Sequence, residues 1–356
     1  MIPPGGECYT SGLLPEIARA GEWFLTSGIQ DSDGGVARYF RTDLGRNAPV
    51  STEITGYTAS ALTYLHRLSG ERRYLDAARA AAQFLTTAWR QGAGAMPFET
   101  AAPDRAYFFD CGIIVRGLLA VWRATGERAL LETAGGIGRH MAADYAAEDG
   151  YHPILELPGK RPAARDALRW SASPGCYQLK SAMAWMDLHC AGAGADFAER
   201  YERALDAALG SADGFLPGHP ERRRVMDRLH AFAYFLEGLL PRADNDARCR
   251  GALAAGIERL AGYLRQIAPE FERSDVYAQL LRVRLFADRM GAAPLDRAAA
   301  EHEAARLAEF QAPDGGFHFG RAEGEWLPYR NPVSTAFALQ ALAMWHGAPA
   351  AVAELI

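Results

Sequence analysis

Six times along 356 residues, an amphipathic helix is followed by a helix-length stretch that is small or apolar on nearly every side. No other feature constrains the fold as strongly. The apolar stretches begin near Thr52, Asp110, Gly175, Asp227, Asp275 and Pro332. Self-similarity at a period of roughly 55 residues marks a repeat architecture. Stretches such as 54–62 and 112–122 present no polar face, so each must be buried all round. Their amphipathic predecessors are expected at about 13–28, 71–91, 128–147, 196–210, 247–268 and 296–311. Segment 72–85, for example, has one apolar stripe and one charged face, as an outer helix requires. Gly56, Ala59, Gly117, Ala182, Ala184, Ala231 and Ala233 let the inner helices approach one another closely. No run of alternating β-branched residues predicts a sheet. The expectation is all-α: an (α/α)6 toroid of six inner and six outer helices, forming one domain over residues 1–356.

The loops from outer to inner helices carry a recurring turn: Gln30-Asp31-Ser32-Asp33-Gly34-Gly35-Val36, Asp149-Gly150-Tyr151, Asp213-Gly214-Phe215 and Gln311-Ala312-Pro313-Asp314-Gly315-Gly316-Phe317. Asp-Gly reverses the chain because glycine accepts positive φ and aspartate bonds its own backbone. An aromatic or aliphatic residue then returns to the core. A net charge of −5 gives no footprint for nucleic acid. No apolar run reaches the roughly 20 residues of a membrane span. The start, Met1 to Glu7, has neither the basic patch nor the apolar stretch of a signal peptide, so a cytoplasmic location is expected. Cys8, Cys111, Cys176, Cys190 and Cys249 are odd in number and widely spaced, which predicts free thiols rather than a disulfide framework or zinc site. Of the 38 basic residues only Lys160 and Lys180 are lysines.

The Gln-x-x-Asp-Gly-Gly-Phe turn resembles the repeat motif of squalene cyclases and protein prenyltransferase β subunits. Glu53-Ile54-Thr55-Gly56-Tyr57, Phe109-Asp110-Cys111-Gly112, Leu229-His230-Ala231-Phe232-Ala233-Tyr234 and Glu237-Gly238-Leu239-Leu240 resemble toroid proteins encoded with bacterial polysaccharide-biosynthesis genes. Those are akin to unsaturated glucuronyl hydrolases and N-acylglucosamine 2-epimerases. The resemblance implies a six-hairpin fold and carbohydrate chemistry, and carries over no residue roles.

In a toroid the loops leading into the inner helices form the rim of a bowl, where helix N-termini favour anionic or hydroxyl-rich ligands. The rim candidates follow from where each helix is expected to start. Glu53 and Tyr57, four apart, share a face of the first inner helix. Asp110 opens the second; Tyr177, Gln178 and Lys180 open the third. Asp227 and His230 lie on the fourth, Asp275 and Gln279 on the fifth, and Asn331 precedes the sixth. Asp110, Asp227 and Asp275 also suit helix capping, a role that fits Glu53 poorly. A sugar site needs carboxylates for proton transfer, planar polar groups for hydroxyls and aromatic faces for rings. Glu53, Asp110, Asp227 and His230 are the catalytic candidates. Arg38, Tyr39, Tyr57, Tyr177, Gln178, Lys180, Asp275, Gln279, Trp326 and Arg330 are the substrate-binding candidates, with Phe98 as a further aromatic.

Paired carboxylates across the bowl would serve glycosidic cleavage. His230 would equally suit proton abstraction beside a carbonyl in an epimerase or lyase. The expected partner is a small sugar or an oligosaccharide, with no cofactor and no metal. Two alternatives stay open. One is isoprenoid chemistry, against which stands the lack of an Asp-x-Asp-Asp tetrad, Asp31-Ser32-Asp33 being shorter and lying in a turn. The other is a non-catalytic scaffold that binds a glycan or a protein. The insertion at about 152–173 is either a lid over the bowl or a variable loop.

Overall fold

The structure, a computed structural model, describes residues 12–92 and 94–356; Met1 to Glu7 and Cys8 lie outside them. The helices are α1 (Pro15–Thr26), α2 (Thr52–Ser69), α3 (Arg72–Gln91), α4 (Phe108–Thr125), α5 (Arg128–Asp144), α6 (Gln178–Cys190), α7 (Phe197–Ser211), α8 (Arg222–Leu239), α9 (Ala247–Ile267), α10 (Ser274–Arg289), α11 (Arg297–Glu309) and α12 (Pro332–Trp345). The even-numbered helices pack each on the next, and α12 returns to α2, closing an inner ring. The odd-numbered helices wrap it. This is the (α/α)6 toroid that the repeat predicts.

Pairing within the hairpins differs from the expected order. Each inner helix packs chiefly on the outer helix that follows it, α2 on α3 through α10 on α11, which leaves α12 to pair with α1. The cause is loop length. The turn after α2 is a single left-handed glycine cap, Gly70 at φ 73°, and Gly126 caps α4 in the same way. The long loops lie at the opposite end, between outer and inner helices.

Inner helices nearly touch where glycine stands. A Cβ on Gly117 of α4 would lie 2.4 Å from the Gly56 carbonyl oxygen of α2, so the two backbones meet with no side chain between them. The Gln-x-x-Asp-Gly-Gly turns are clasps rather than chemistry. Gln30 Nε2 donates to the Gly34 and Ala77 carbonyls, and Gln311 Nε2 to those of Gly315 and Glu16. Each glutamine thus closes its own turn and ties it to a neighbouring outer helix. Gly34 (φ 96°) and Gly315 (φ 95°) press against the Ala80 and Arg19 carbonyls, where no Cβ would fit.

The rim does contain strands, contrary to expectation. Strands of two or three residues form small antiparallel sheets there, too short to show period-two alternation. Arg105–Tyr107 pairs with Ile154–Glu156 and that with Arg161–Pro162. Phe271–Arg273 pairs with Gly320–Ala322. Tyr329–Arg330 pairs with Phe40–Arg41, stitching the last inner-helix loop to the first.

At the other end the C-terminal segment seals the ring through its main chain. Arg67, Arg289, Arg116, Gln340 and Lys180, from five inner helices, donate to the carbonyls of Pro349, Ala350, Val352, Glu354 and Ile356. The toroid is therefore a bowl with one open mouth. No helix among the described residues is long and apolar enough to cross a membrane.

Candidate active site

The rim loops deliver the N-terminal ends of the inner helices to one cavity of about 410 Å³. Its walls take Glu53 from α2, Asp110 from α4, Tyr177 from just before α6, Asp227 and His230 from α8, and Asp275 from α10. A second compartment of about 360 Å³ adjoins it, lined by Arg38, Tyr39 and Tyr329. Glu53, Phe98, Phe319 and Asn331 line both. A larger groove, about 790 Å³, lies among α9, α10 and α11. Its buried carboxylates, Glu272 and Glu303, are already bound by arginines. The central cavity is the one with reactive groups to spare.

Glu53 and Asp110 are those groups. No other side chain among the described residues donates a hydrogen bond to either carboxylate or forms an ion pair with it, and Asp110 Oδ2 is a buried oxygen without a partner. Burial pushes the Glu53 carboxyl up to about 7, against a weaker pull from Arg38. Burial also pushes Asp110 well above the usual carboxylate range, and the Glu53 charge adds to the rise. Two like charges in one low-dielectric site cannot both ionise freely, so the pair retains a proton near neutrality. Arg38 stands beside them with one nitrogen 2.7 Å from Glu99 and its guanidinium 5.3 Å from the centre of the Phe98 ring.

The opposite wall is tied down by an arginine. Buried Arg273 binds Asp275 through two nitrogens and Asp227 through a third at 2.8 Å. Burial works against the Asp275 charge, but Arg273 and His230 hold its pKa below the ordinary value. His230 Nδ1 lies 2.7 Å from Gln279 Oε1 and 3.4 Å from Asp275 Oδ2. A carboxylate and a carbonyl oxygen can only accept, so Nδ1 carries the proton and Nε2 keeps its lone pair. Burial lowers the imidazole pKa to about 4, which keeps the ring neutral. The site thus sets a carboxyl pair that shares a proton against two carboxylates bound by Arg273, with a neutral base between them.

Several sequence-based placements need correction. Asp227 does not open its helix: α8 begins at Arg222, so Asp227 faces the cavity from the second turn. Asp110, Asp227 and Asp275 are not caps, since those positions belong to Tyr107, Glu221 and Arg273. Lys180 is not at the rim. It is fully buried, 2.9 Å from Glu237, at the floor sealed by the C-terminal segment. Gln178 pins loops by accepting from Gly175 N and donating to the Tyr151 carbonyl. Tyr57 lies under the cavity, its hydroxyl 3.0 Å from that of Tyr234. Gln279 reaches the site only through His230. Trp326 stacks on His318 on the outer hairpin, and Arg330 pairs with Asp314; neither lines the cavity. Arg38 and Tyr39 line the adjoining compartment.

Sequence reasoning missed Arg273, Phe109, Tyr234 and Phe319. Arg273 was hidden among 38 basic residues, and its only signal was its place two residues before Asp275.

No protein-family model and no curated protein matches this sequence. Solved structures do match. A sugar epimerase from a ruminal bacterium aligns over 94% of this chain and 100% of its own, with TM-score 0.70 and 13% identity. Cellobiose 2-epimerase from Bacillus thermoamylovorans B4167 aligns over 92% and 98%, with TM-score 0.71 and 14% identity. The GH76A α-1,6-mannanase from Salegentibacter sp. HEL1_6 aligns over 92% and 98%, with TM-score 0.62 and 11% identity. An inactive variant of that mannanase is solved in complex with α-1,6-mannotriose. The chain shares the six-hairpin toroid with these proteins, and at such identities the likeness is one of fold.

Proposed function

We propose that this protein is a carbohydrate-active enzyme that cleaves a glycosidic bond, with Glu53 and Asp110 as its proton-transferring pair. One observation carries the reading: two carboxylates that no other side chain among the described residues binds line one cavity, where burial raises both pKa values. The protonated member gives its proton to the leaving oxygen. The ionised member, or water activated by it, acts at the sugar carbon. Asp227 and Asp275, fixed by Arg273, supply negative charge opposite the developing oxocarbenium ion. Phe98, Tyr107, Trp170 and Tyr177 offer faces for sugar rings.

Epimerisation through His230 is the second reading, favoured by the free Nε2 and by the epimerases among the structural neighbours. Basicity favours the first. A base with a pKa of about 4 is poorly matched to removing a proton beside a carbonyl at neutral pH, whereas a carboxyl near 7 is well matched to acid catalysis.

The test is incubation with a panel of neutral and acidic oligosaccharides, following new reducing ends, unsaturated products and deuterium incorporation at C2. New reducing ends that disappear in Glu53→Gln and Asp110→Asn support cleavage. Deuterium exchange that survives both substitutions and disappears in His230→Ala would replace cleavage with epimerisation.

A further inference from the structure

The insertion before α6 is fastened to the rest of the molecule in an unusual way. Within residues 164–172 nearly every hydrogen bond is internal. Asp166 N donates to the Ala172 carbonyl, Leu168 N to Asp166 Oδ1, Arg169 N to the Asp166 carbonyl and Ala172 N to the Arg169 carbonyl. Ser173 Oγ, at the exit, donates to the Asp166 carbonyl. Among the described residues one polar contact leaves the segment: the exposed ion pair of Arg165 with Asp149. Such surface pairs contribute about 0–1 kcal/mol.

The other attachment is Trp170. Its ring meets Tyr177 edge-on at 5.0 Å and lies 6.4 Å from His230 between centroids. Arg169, Trp170 and Ser171 form one wall of the central cavity. The segment thus holds its own shape, is anchored firmly only at its ends, and carries one large aromatic over the site.

We propose that residues 164–172 form a lid that moves as one body, and that its Trp170 is a positioning residue that shields His230 from water when the lid is closed, as it is here. Opening costs the surface ion pair and the Trp170 contacts, and leaves the internal bonds intact. The motion therefore needs no unfolding of the toroid. The cavity is the site of the cleavage reading above, but neither readout below uses a substrate, so the lid and that reading fail separately.

The first experiment is an NMR titration of His230. The charged and titratable groups around this ring are Arg273 and Asp275 from the α10 end, Asp227, Tyr234 and Glu237 from its own helix, Glu53, Asp110 and Tyr177 across the cavity and Arg169 from the segment itself, and none is substituted in the variants. In Trp170→Ala the His230 midpoint rises by about one unit, because water reaches the imidazolium. Trp170→Phe restores most of the wild-type value. A midpoint unmoved in Trp170→Ala overturns the shielding role.

The second experiment is fluorine NMR on the intact chain labelled with 5-fluorotryptophan, with and without Arg165→Ala, the Trp170 signal being assigned by its loss in Trp170→Phe. That signal exchanges between a closed and an open position, and Arg165→Ala raises the open population by about threefold. A Trp170 signal that shows no exchange in either protein overturns the lid.

Discussion

Gln279 Oε1 lies 2.7 Å from His230 Nδ1, one turn along α10 from the Asp275 carboxylate that flanks the same nitrogen. The amide accepts the ring proton without adding charge, so the imidazole is oriented yet stays neutral. Gln279→Glu places a second anion on that nitrogen and favours the imidazolium, so the His230 pKa rises from about 4 toward or past its ordinary 6.5. Nitrogen chemical shifts followed against pH read this directly. A midpoint that stays near 4 would mean that burial outweighs any charge placed there.

Glu53→Gln and Asp110→Asn each remove a group with a poised proton, and each lowers kcat by roughly 10²–10⁴-fold on a cleavable oligosaccharide. In the wild type, kcat/KM falls as pH rises through about 7, where the Glu53 carboxyl loses its proton. An alkaline limb that persists in Glu53→Gln assigns it to another group.

The same carboxyl makes stability depend on pH. Its folded pKa, about 7, lies above the 4.5 of an ordinary glutamate, so the folded state binds this proton more tightly than the unfolded chain does. The stabilisation is complete below about 4.5 and is lost as pH rises through 7. At pH 8 the ionised group costs about 1–3 kcal/mol, which Glu53→Gln recovers. Urea melts at pH 5 and pH 8 should show the variant gaining on the wild type only at the higher pH.

Glu237 is fully buried between Lys180 and Arg282. Its removal in Glu237→Gln leaves the Arg282 cation without a counter-charge and lets Lys180, already lowered to about 7 by burial, shed its proton; breaking such a buried pair typically costs about 3–5 kcal/mol. Denaturant midpoints would show the loss. A cost under about 1 kcal/mol would mean that the carbonyls of the C-terminal segment suffice as partners.

Gly117→Ala drives a methyl group into the Gly56 carbonyl, where only backbone can yield. The expected loss is about 1–3 kcal/mol or more. Ala120→Gly, on the same helix away from that contact, serves as the propensity control, with a loss of about 1 kcal/mol.

The twelve helices were legible because burial on all sides and burial on one side leave different residue patterns, as in 112–122 against 72–85. Their pairing was not, since it depends on which connections are short. Glu53, Asp110 and His230 were legible as groups out of place on buried helices, and they do meet in one cavity. Lys180 looked the same by that criterion and lies at the opposite end, because a sequence pattern gives the height of a residue on a helix more readily than the direction of a long side chain. Asp227 was expected near a helix start, but α8 begins five residues earlier with Arg222 to Arg224, an exposed polar turn that the search for apolar stretches passes over. The anchoring role of Arg273 was hidden because it depends on Asp227, 46 residues away.

The pairing of Tyr329–Arg330 with Phe40–Arg41 has a consequence for biosynthesis. During translation the first rim hairpin emerges with its edge bare and stays so until almost three hundred more residues have left the ribosome. The seam is therefore among the last contacts to form, and the incomplete arc exposes apolar flanks of α1 and α2 throughout that interval. Nascent chains stalled before residue 330 should engage chaperones and resist release, whereas chains stalled on a flexible linker appended after residue 356 should not.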